Sequence, residues 1–181
     1  EIAWITESGV NFCAQAFPTV GYDHPDSPVL AVLGKVLHNG YLHSAIREKG
    51  GAYGSGAMQD VNAGLFKFFS YRDPNTEETF NSFNASIEWA VKSITENHLE
   101  QGILGIISSI DKPASPSSEA MADLYANLSG RTSEKRKIFR DSVIHCTVEK
   151  LKEVTKKYLM ARPRRALVSG RKFEKKLTSM G

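Results

Sequence analysis

The sequence predicts an α+β fold: a largely antiparallel sheet with several helices packed on one face. Three observations lead there. The stretch "VNFCAQAF" (residues 10–17) alternates Val10, Phe12, Ala14 and Ala16 with Asn11, Cys13 and Gln15, the period of a half-buried strand. Two further strand-like runs follow each other across a short turn, as hairpin partners do. Helical periodicity then recurs in consecutive segments before a last strand-like run. An all-parallel, doubly wound sheet requires strand and helix to alternate throughout, and here they do not.

Taken in order, "GYDHPDSP" is a loop that places Ser27 and Pro28 in cap and first-turn positions. Val29, Val32, Leu33, Val36, Leu37 and Tyr41 recur at steps of three and four, which predicts an amphipathic helix reaching Arg47. Gly50 and Gly51 end it, because glycine takes the left-handed cap conformation at little cost. Residues 52–60 and 65–71 read as strands joined by the hairpin turn "VNAG". "RDPN" turns the chain, and Asn75 with Glu78 three residues on resembles a capping box. Phe80, Phe83, Ile87, Val91 and Ile94 mark a long helix, and Leu99, Ile103, Ile106, Ile107 and Ile110 mark another. Pro113 and Pro116 interrupt the pattern. Shorter helices are expected over 118–128, 133–144 and 148–159, and "RALVSG" (165–170) supplies the last strand. No internal repeat or low-complexity linker occurs, so residues 1–181 are expected to form one domain.

At 181 residues the chain is long enough to bury a substantial core. Hydrophobic residues at 41% and charged residues at 24% are ordinary for a globular protein, and a formal charge of +3 does not by itself point to nucleic acid. No apolar run approaches the roughly 20 residues that span a bilayer. The chain opens at Glu1 without a start methionine or a signal-like segment, so it is expected to be a piece of a longer protein. Cys13 and Cys146 cannot form a disulfide scaffold and read as buried free thiols.

Each class of site chemistry has its own sequence signature. His38 and His43 lie five apart, which on an α-helix separates them by roughly 140°, and neither H-E-x-x-H nor H-x-x-E-H occurs. The sequence therefore predicts no metal site of its own. Phosphate cradles follow a strand and open a helix, whereas "GGAYGSG" leaves a helix and enters a strand, the opposite polarity. There is no G-x-S-x-G elbow and no cysteine with a histidine partner motif. Nine Lys and Arg residues lie between Lys156 and Lys176 against one acid, Glu174. With few aromatics among them, a solvated face is the main reading and an anion-binding patch the alternative.

Arg47 and Tyr53 remain, on either side of the corner "REKGGAY". Arginine in a last helical turn complements the helix dipole without further purpose, and a strand tyrosine can be core. The second reading places a cation and a phenol together, where both could donate to a developing oxyanion.

"LHSAIREKGGAYGSG" followed by "GLFKFFSYRDPN" resembles the pitrilysin (insulinase-like) family of zinc peptidases, and within it the presequence-protease branch. The motif-level match lies between Leu42 and Asn75, and the order of elements extends it along nearly the whole chain. The resemblance implies four related α+β domains in two hinged halves that enclose a chamber, with zinc bound by the first domain. Arg47 and Tyr53 match an arginine and a tyrosine, six apart, that the last domain brings to the zinc site when the halves close. The zinc motif is missing, so this chain resembles the fourth, C-terminal domain alone, and zinc is implied for the full-length enzyme on another domain. The resemblance further implies that Arg47 and Tyr53 bind the scissile carbonyl and its oxyanion. It makes the N-terminal half of the same polypeptide a partner and unstructured peptides, such as cleaved targeting presequences, the substrates. An organellar location (mitochondrial matrix or plastid) follows for a eukaryotic source. The basic tail is expected to face outward, since presequences are themselves cationic. A non-catalytic scaffold or interaction domain of the same fold, as in complexes related to processing peptidases, is the alternative, and excision is expected to uncover apolar surface.

Overall fold

The computed structural model describes residues 2–171. The five strands are β1 (Ile2–Thr6), β2 (Asn11–Pro18), β3 (Gly54–Asp60), β4 (Leu65–Asp73) and β5 (Arg164–Gly170), in the sheet order β1-β5-β2-β4-β3. Only the β1–β5 pairing is parallel, and the other three are antiparallel. The expected α+β class with a largely antiparallel sheet is what the chain adopts. β1 has no counterpart in the sequence reading. It pairs on one side only and all five residues are exposed, so burial imposes no alternation on them.

Along β2 the alternation holds, but its sense is inverted. Asn11, Cys13, Gln15 and Phe17 face inward, while Phe12 is 41% exposed. The buried amides are matched group for group. Asn11 Nδ2 donates to the carbonyls of Asp73 (3.0 Å) and Asn75 (3.1 Å), and its Oδ1 accepts from Ser169 Oγ at 2.6 Å. Gln15 Nε2 donates to Asn84 Oδ1 (3.1 Å) and its Oε1 accepts from Arg165 Nε (2.9 Å). Satisfied in this way, two buried amides cost little.

Six α-helices complete the described fold: α1 (Asp26–Leu37), α2 (Glu77–Ser93), α3 (Glu96–Ile110), α4 (Pro116–Leu128), α5 (Ser133–Ile144) and α6 (Val148–Leu159). Phe17, Phe66 and Phe68 of the sheet pack with Leu30, Leu33 and Leu37 of α1, Phe83 of α2 and Leu151 of α6. Phe68 meets Phe66 at 5.3 Å and Phe83 at 5.5 Å between ring centroids. Each such side chain contributes about 1.5–3 kcal/mol on burial. α1 starts one residue ahead of the expected cap, with Pro25 in the cap position and Pro28 in the first turn, where its missing N–H is tolerated. α4 buries none of its residues.

Two local expectations are corrected. α1 does not continue as an α-helix to Arg47; residues His38–Glu48 form a π-helix. Residues five apart then stack on one face, so the His38 and His43 rings sit 6.1 Å apart and not on opposite sides. The α2 cap is also different. Thr76 occupies it without a side-chain bond, Asp73 Oδ2 accepts from Thr79 Oγ1 at 2.8 Å, and the Asn75 amide is engaged elsewhere. Lys172, Glu174, Lys175 and Lys176 lie outside the described residues. Of the described cations of that stretch, Lys157 pairs with Asp26 and Arg171 with Glu7, both near the surface.

Candidate functional site: the glycine corner between the π-helix and the edge strand

The corner is held by a widened set of cap bonds. Lys49 N–H donates to Ser44 O (3.0 Å), Gly51 N–H to Arg47 O (3.1 Å) and Ala52 N–H to Ile46 O (3.1 Å). The last of these spans one residue more than a Schellman bond, as expected where a π-helix and not an α-helix ends. Gly51 has φ +77°, so a side chain there would be strained. Asn75 Nδ2 donates to Gly50 O at 2.7 Å and anchors the corner to the β4–α2 turn.

Arg47 is exposed on the final π-turn. Its Nη1 donates to His43 Nε2 at 3.2 Å, and among the described residues no carboxylate pairs with it. The other guanidinium donors are uncommitted there. Glu48 Oε1 lies 3.5 Å from His43 Nδ1.

Tyr53 is not in the strand, as the sequence suggested, nor is it core. β3 begins at Gly54, and Tyr53 occupies the bend before it, 63% exposed. Ala52 N–H is spent on the helix cap, bonded to Ile46 O at 3.1 Å. Tyr53 N–H donates to Arg72 O at 3.3 Å. The phenol ring lies 5.7 Å from the Tyr71 ring, with Arg72 Cζ 5.3 Å from its own centroid. Arg72 adopts φ +51°, a left-handed conformation that a non-glycine residue keeps only when its surroundings enforce it. The small residues of β3 have a packing reason: the Tyr71 ring rests on Gly54, and a Cβ on Gly56 would lie 2.7 Å from the Phe69 ring.

Both sequence-predicted residues are thus exposed on one corner, Arg47 at the end of the helical run and Tyr53 in the bend before the edge strand. His43, Arg72 and Asn75 hold them; from sequence His43 reads only as a metal-ligand candidate, Asn75 only as a helix cap, and Arg72 carries no site signal. Among the described residues no group of three or more His, Cys, Asp or Glu is placed to hold a metal ion. No helix among them is long and apolar enough to cross a membrane. A cleft of about 480 Å³ between α1, α5 and α6, lined by Asp26, His145, Lys150 and Glu153, includes neither Arg47 nor Tyr53.

The architecture is that of pitrilysin-type peptidase domains. A protease from Helicobacter pylori aligns with a TM-score of 0.78 at 17% identity, over 92% of this chain and 43% of that one. An inactive peptidase domain from Pseudomonas fluorescens aligns at 0.68 and 19% identity, over 93% and 42%. Pitrilysin itself aligns at 0.67 and 15%, over 92% and 19%. These likenesses establish the fold. Sequence is more specific: residues 7–162 match the PreP C-terminal domain family, and the chain belongs to it. The mitochondrial presequence protease of Yarrowia lipolytica is 42% identical over 152 residues, 83% of this chain and 15% of that protein. Its counterpart in Danio rerio is 36% identical over 151 residues, 83% and 14%. The chain therefore spans about a seventh of the relatives it matches.

Proposed function

We propose that the chain is the C-terminal domain of a zinc metalloendopeptidase that degrades unstructured peptides, cleaved targeting presequences among them. In this reading Arg47 and Tyr53 donate hydrogen bonds to the scissile carbonyl and to the oxyanion it becomes. The observation that carries it is the exposed Arg47, without a carboxylate partner among the described residues, on the same buttressed corner as the exposed Tyr53 hydroxyl. A bidentate pair with an acid would take two of the guanidinium's five donors and offset its charge. The metal belongs to another domain, whose zinc would activate water. This chain's part is to bind and orient the carbonyl, and closure of the two halves of the polypeptide would complete the site. The relatives' names favour a mitochondrial location.

Arg47→Ala in the full-length protein should lower peptide turnover by about 10²-fold or more, the scale of losing an oxyanion donor. Unchanged turnover in a folded variant would refute the assignment. The separate 181-residue chain should bind no stoichiometric zinc and cleave nothing.

A second reading, a non-catalytic interaction domain, is favoured by α4, whose Leu124, Tyr125 and Leu128 are 50%, 62% and 75% exposed. That reading requires neither Arg47 nor Tyr53, so the same substitution separates the two.

A further inference from the structure

We propose that His43 is a positioning residue for Arg47, holding the guanidinium at the corner through an imidazole whose tautomer is fixed by chemistry. This rests on the assignment of Arg47 as an oxyanion donor.

The π-helix adds the groups that surround the pair. Around one turn of it, residues four and five apart both neighbour the starting residue, so His43 meets Arg47 at i+4 and Glu48 at i+5. Arginine nitrogens only donate, so at 3.2 Å His43 Nε2 must present its lone pair to Arg47 Nη1. The ring proton of the neutral imidazole is then on Nδ1, which faces Glu48 Oε1 at 3.5 Å. On the preceding π-turn the His38 ring stands edge-on to His43, 6.1 Å away at 85°. The imidazole therefore has a neighbour of matching character on each side: a donor, a carboxylate and an aromatic edge.

Arg47 needs such support. It is exposed, its side chain has four rotatable bonds, and among the described residues His43 is the only hydrogen-bond partner of its guanidinium. An oxyanion donor acts by being in place before charge develops, so a guanidinium free to wander contributes less to the barrier. His43 touches no reacting atom in this scheme; it acts through Arg47.

The test is a double-mutant cycle in the full-length peptidase, following kcat and KM on an unstructured peptide. His43→Ala should lower kcat about tenfold with little change in KM, the effect of losing one hydrogen bond to a charged group. His43→Gln, whose side-chain oxygen can replace Nε2 as acceptor, should recover most of the loss. In an Arg47→Ala background, His43→Ala should add nothing. Should the alanine variant fail to fold, His43→Leu removes the acceptor while keeping a larger, helix-favouring side chain. An unchanged kcat in His43→Ala, an equal loss in both backgrounds, or no recovery with glutamine would each overturn the positioning role while leaving Arg47's role intact. A silent Arg47→Ala would instead remove the assignment on which it rests.

Discussion

Asn75 donates its side-chain amide to the carbonyl of Gly50 at 2.7 Å, across 25 residues of sequence. The turn that opens α2 thereby fixes the corner that carries Arg47 and Tyr53. Asn75 is itself fixed, because its backbone N–H donates to Asp73 Oδ1 at 2.8 Å and its carbonyl accepts from Asn11 Nδ2. A buried strand amide, a turn and a helix end form one connected network.

Asn75→Ala should therefore cost about 1 kcal/mol of stability, the ordinary worth of one hydrogen bond. It should also slow turnover in the full-length protein by more than that stability loss explains, since the corner loses its tether. Denaturant midpoints measured beside kcat separate the effects. If the midpoint falls and kcat does not, the corner is rigid without the tether.

Tyr53→Phe isolates the hydroxyl. The ring keeps its contacts with Tyr71 and Arg72, so stability should stay within about 0.5 kcal/mol. Turnover should fall on the order of 10²-fold if the hydroxyl is an oxyanion donor. Tyr53→Ala should in addition release the Arg72 side chain, and a denaturation curve should then show a loss that the phenylalanine variant lacks. Equal turnover for wild type and Tyr53→Phe would exclude the hydroxyl from the chemistry.

Gly54→Ala places a methyl group in the Tyr71 ring, and Gly56→Ala one against Phe69. Overpacking of this kind costs about 1–3 kcal/mol. Because Tyr71 is also Tyr53's neighbour, the Gly54 variant should impair turnover more than the Gly56 variant at matched loss of stability. Paired melting curves and kcat values for the two variants check this.

How far the sequence revealed these features depends on what kind of interaction made them. Helices α5 and α6 match the expected bounds because their apolar periodicity and their threonine caps agree. The Arg47–Tyr53 corner was legible from its glycines, which serve backbone geometry. The π-register was not: Leu42 and Ile46 are buried four apart, a spacing an α-helix would also show. That hidden register misplaced His43 relative to His38 and concealed the approach of Glu48, five residues on, to its Nδ1. Inward-facing Asn11 and Gln15 on β2 were equally hidden, since their partners Asp73, Asn84, Arg165 and Ser169 are distant in sequence. The cap bond from Ala52 to Ile46, six residues back, beside the bend that holds Tyr53, is likewise announced by no local pattern.

Both cysteines should be inert in the folded chain. Burial pushes the Cys13 thiol up to about 12 and that of Cys146 up to about 11. Thiolate is the reactive form, so at pH 8 neither should react with a disulfide reagent before unfolding. Rapid stoichiometric labelling of the native chain would mean that one of these sites opens readily.

Asp26 links the start of α1 to the end of α6: its Oδ2 accepts from Lys157 Nζ and from Tyr158 Oη, each at 2.7 Å. Burial pushes its carboxyl up, but the Lys157 and Tyr158 hydrogen bonds outweigh that and hold it below its ordinary value. A depressed carboxylate stabilises the fold at pH values above the unfolded group's and loses that contribution as pH falls through the folded one. Lys157 is shifted the other way, raised chiefly by its hydrogen bond to Asp26, so its share is lost only as pH climbs through the ammonium range. Tyr158 is raised as well, first by burial and then by Asp26, and its share also disappears on the alkaline side. The three groups together give a contribution that is level between the carboxylate and ammonium ranges and falls away outside both. Asp26→Asn should remove it, lowering the unfolding free energy at pH 7 by on the order of 1 kcal/mol, the worth of one hydrogen bond to a charged group less its exposure to water. Wild type and variant should converge in acid, below the carboxylate range, when chemical denaturation is repeated there. A gap of the same size at both pH values would mean that the carboxylate's charge plays no part in joining the two helices.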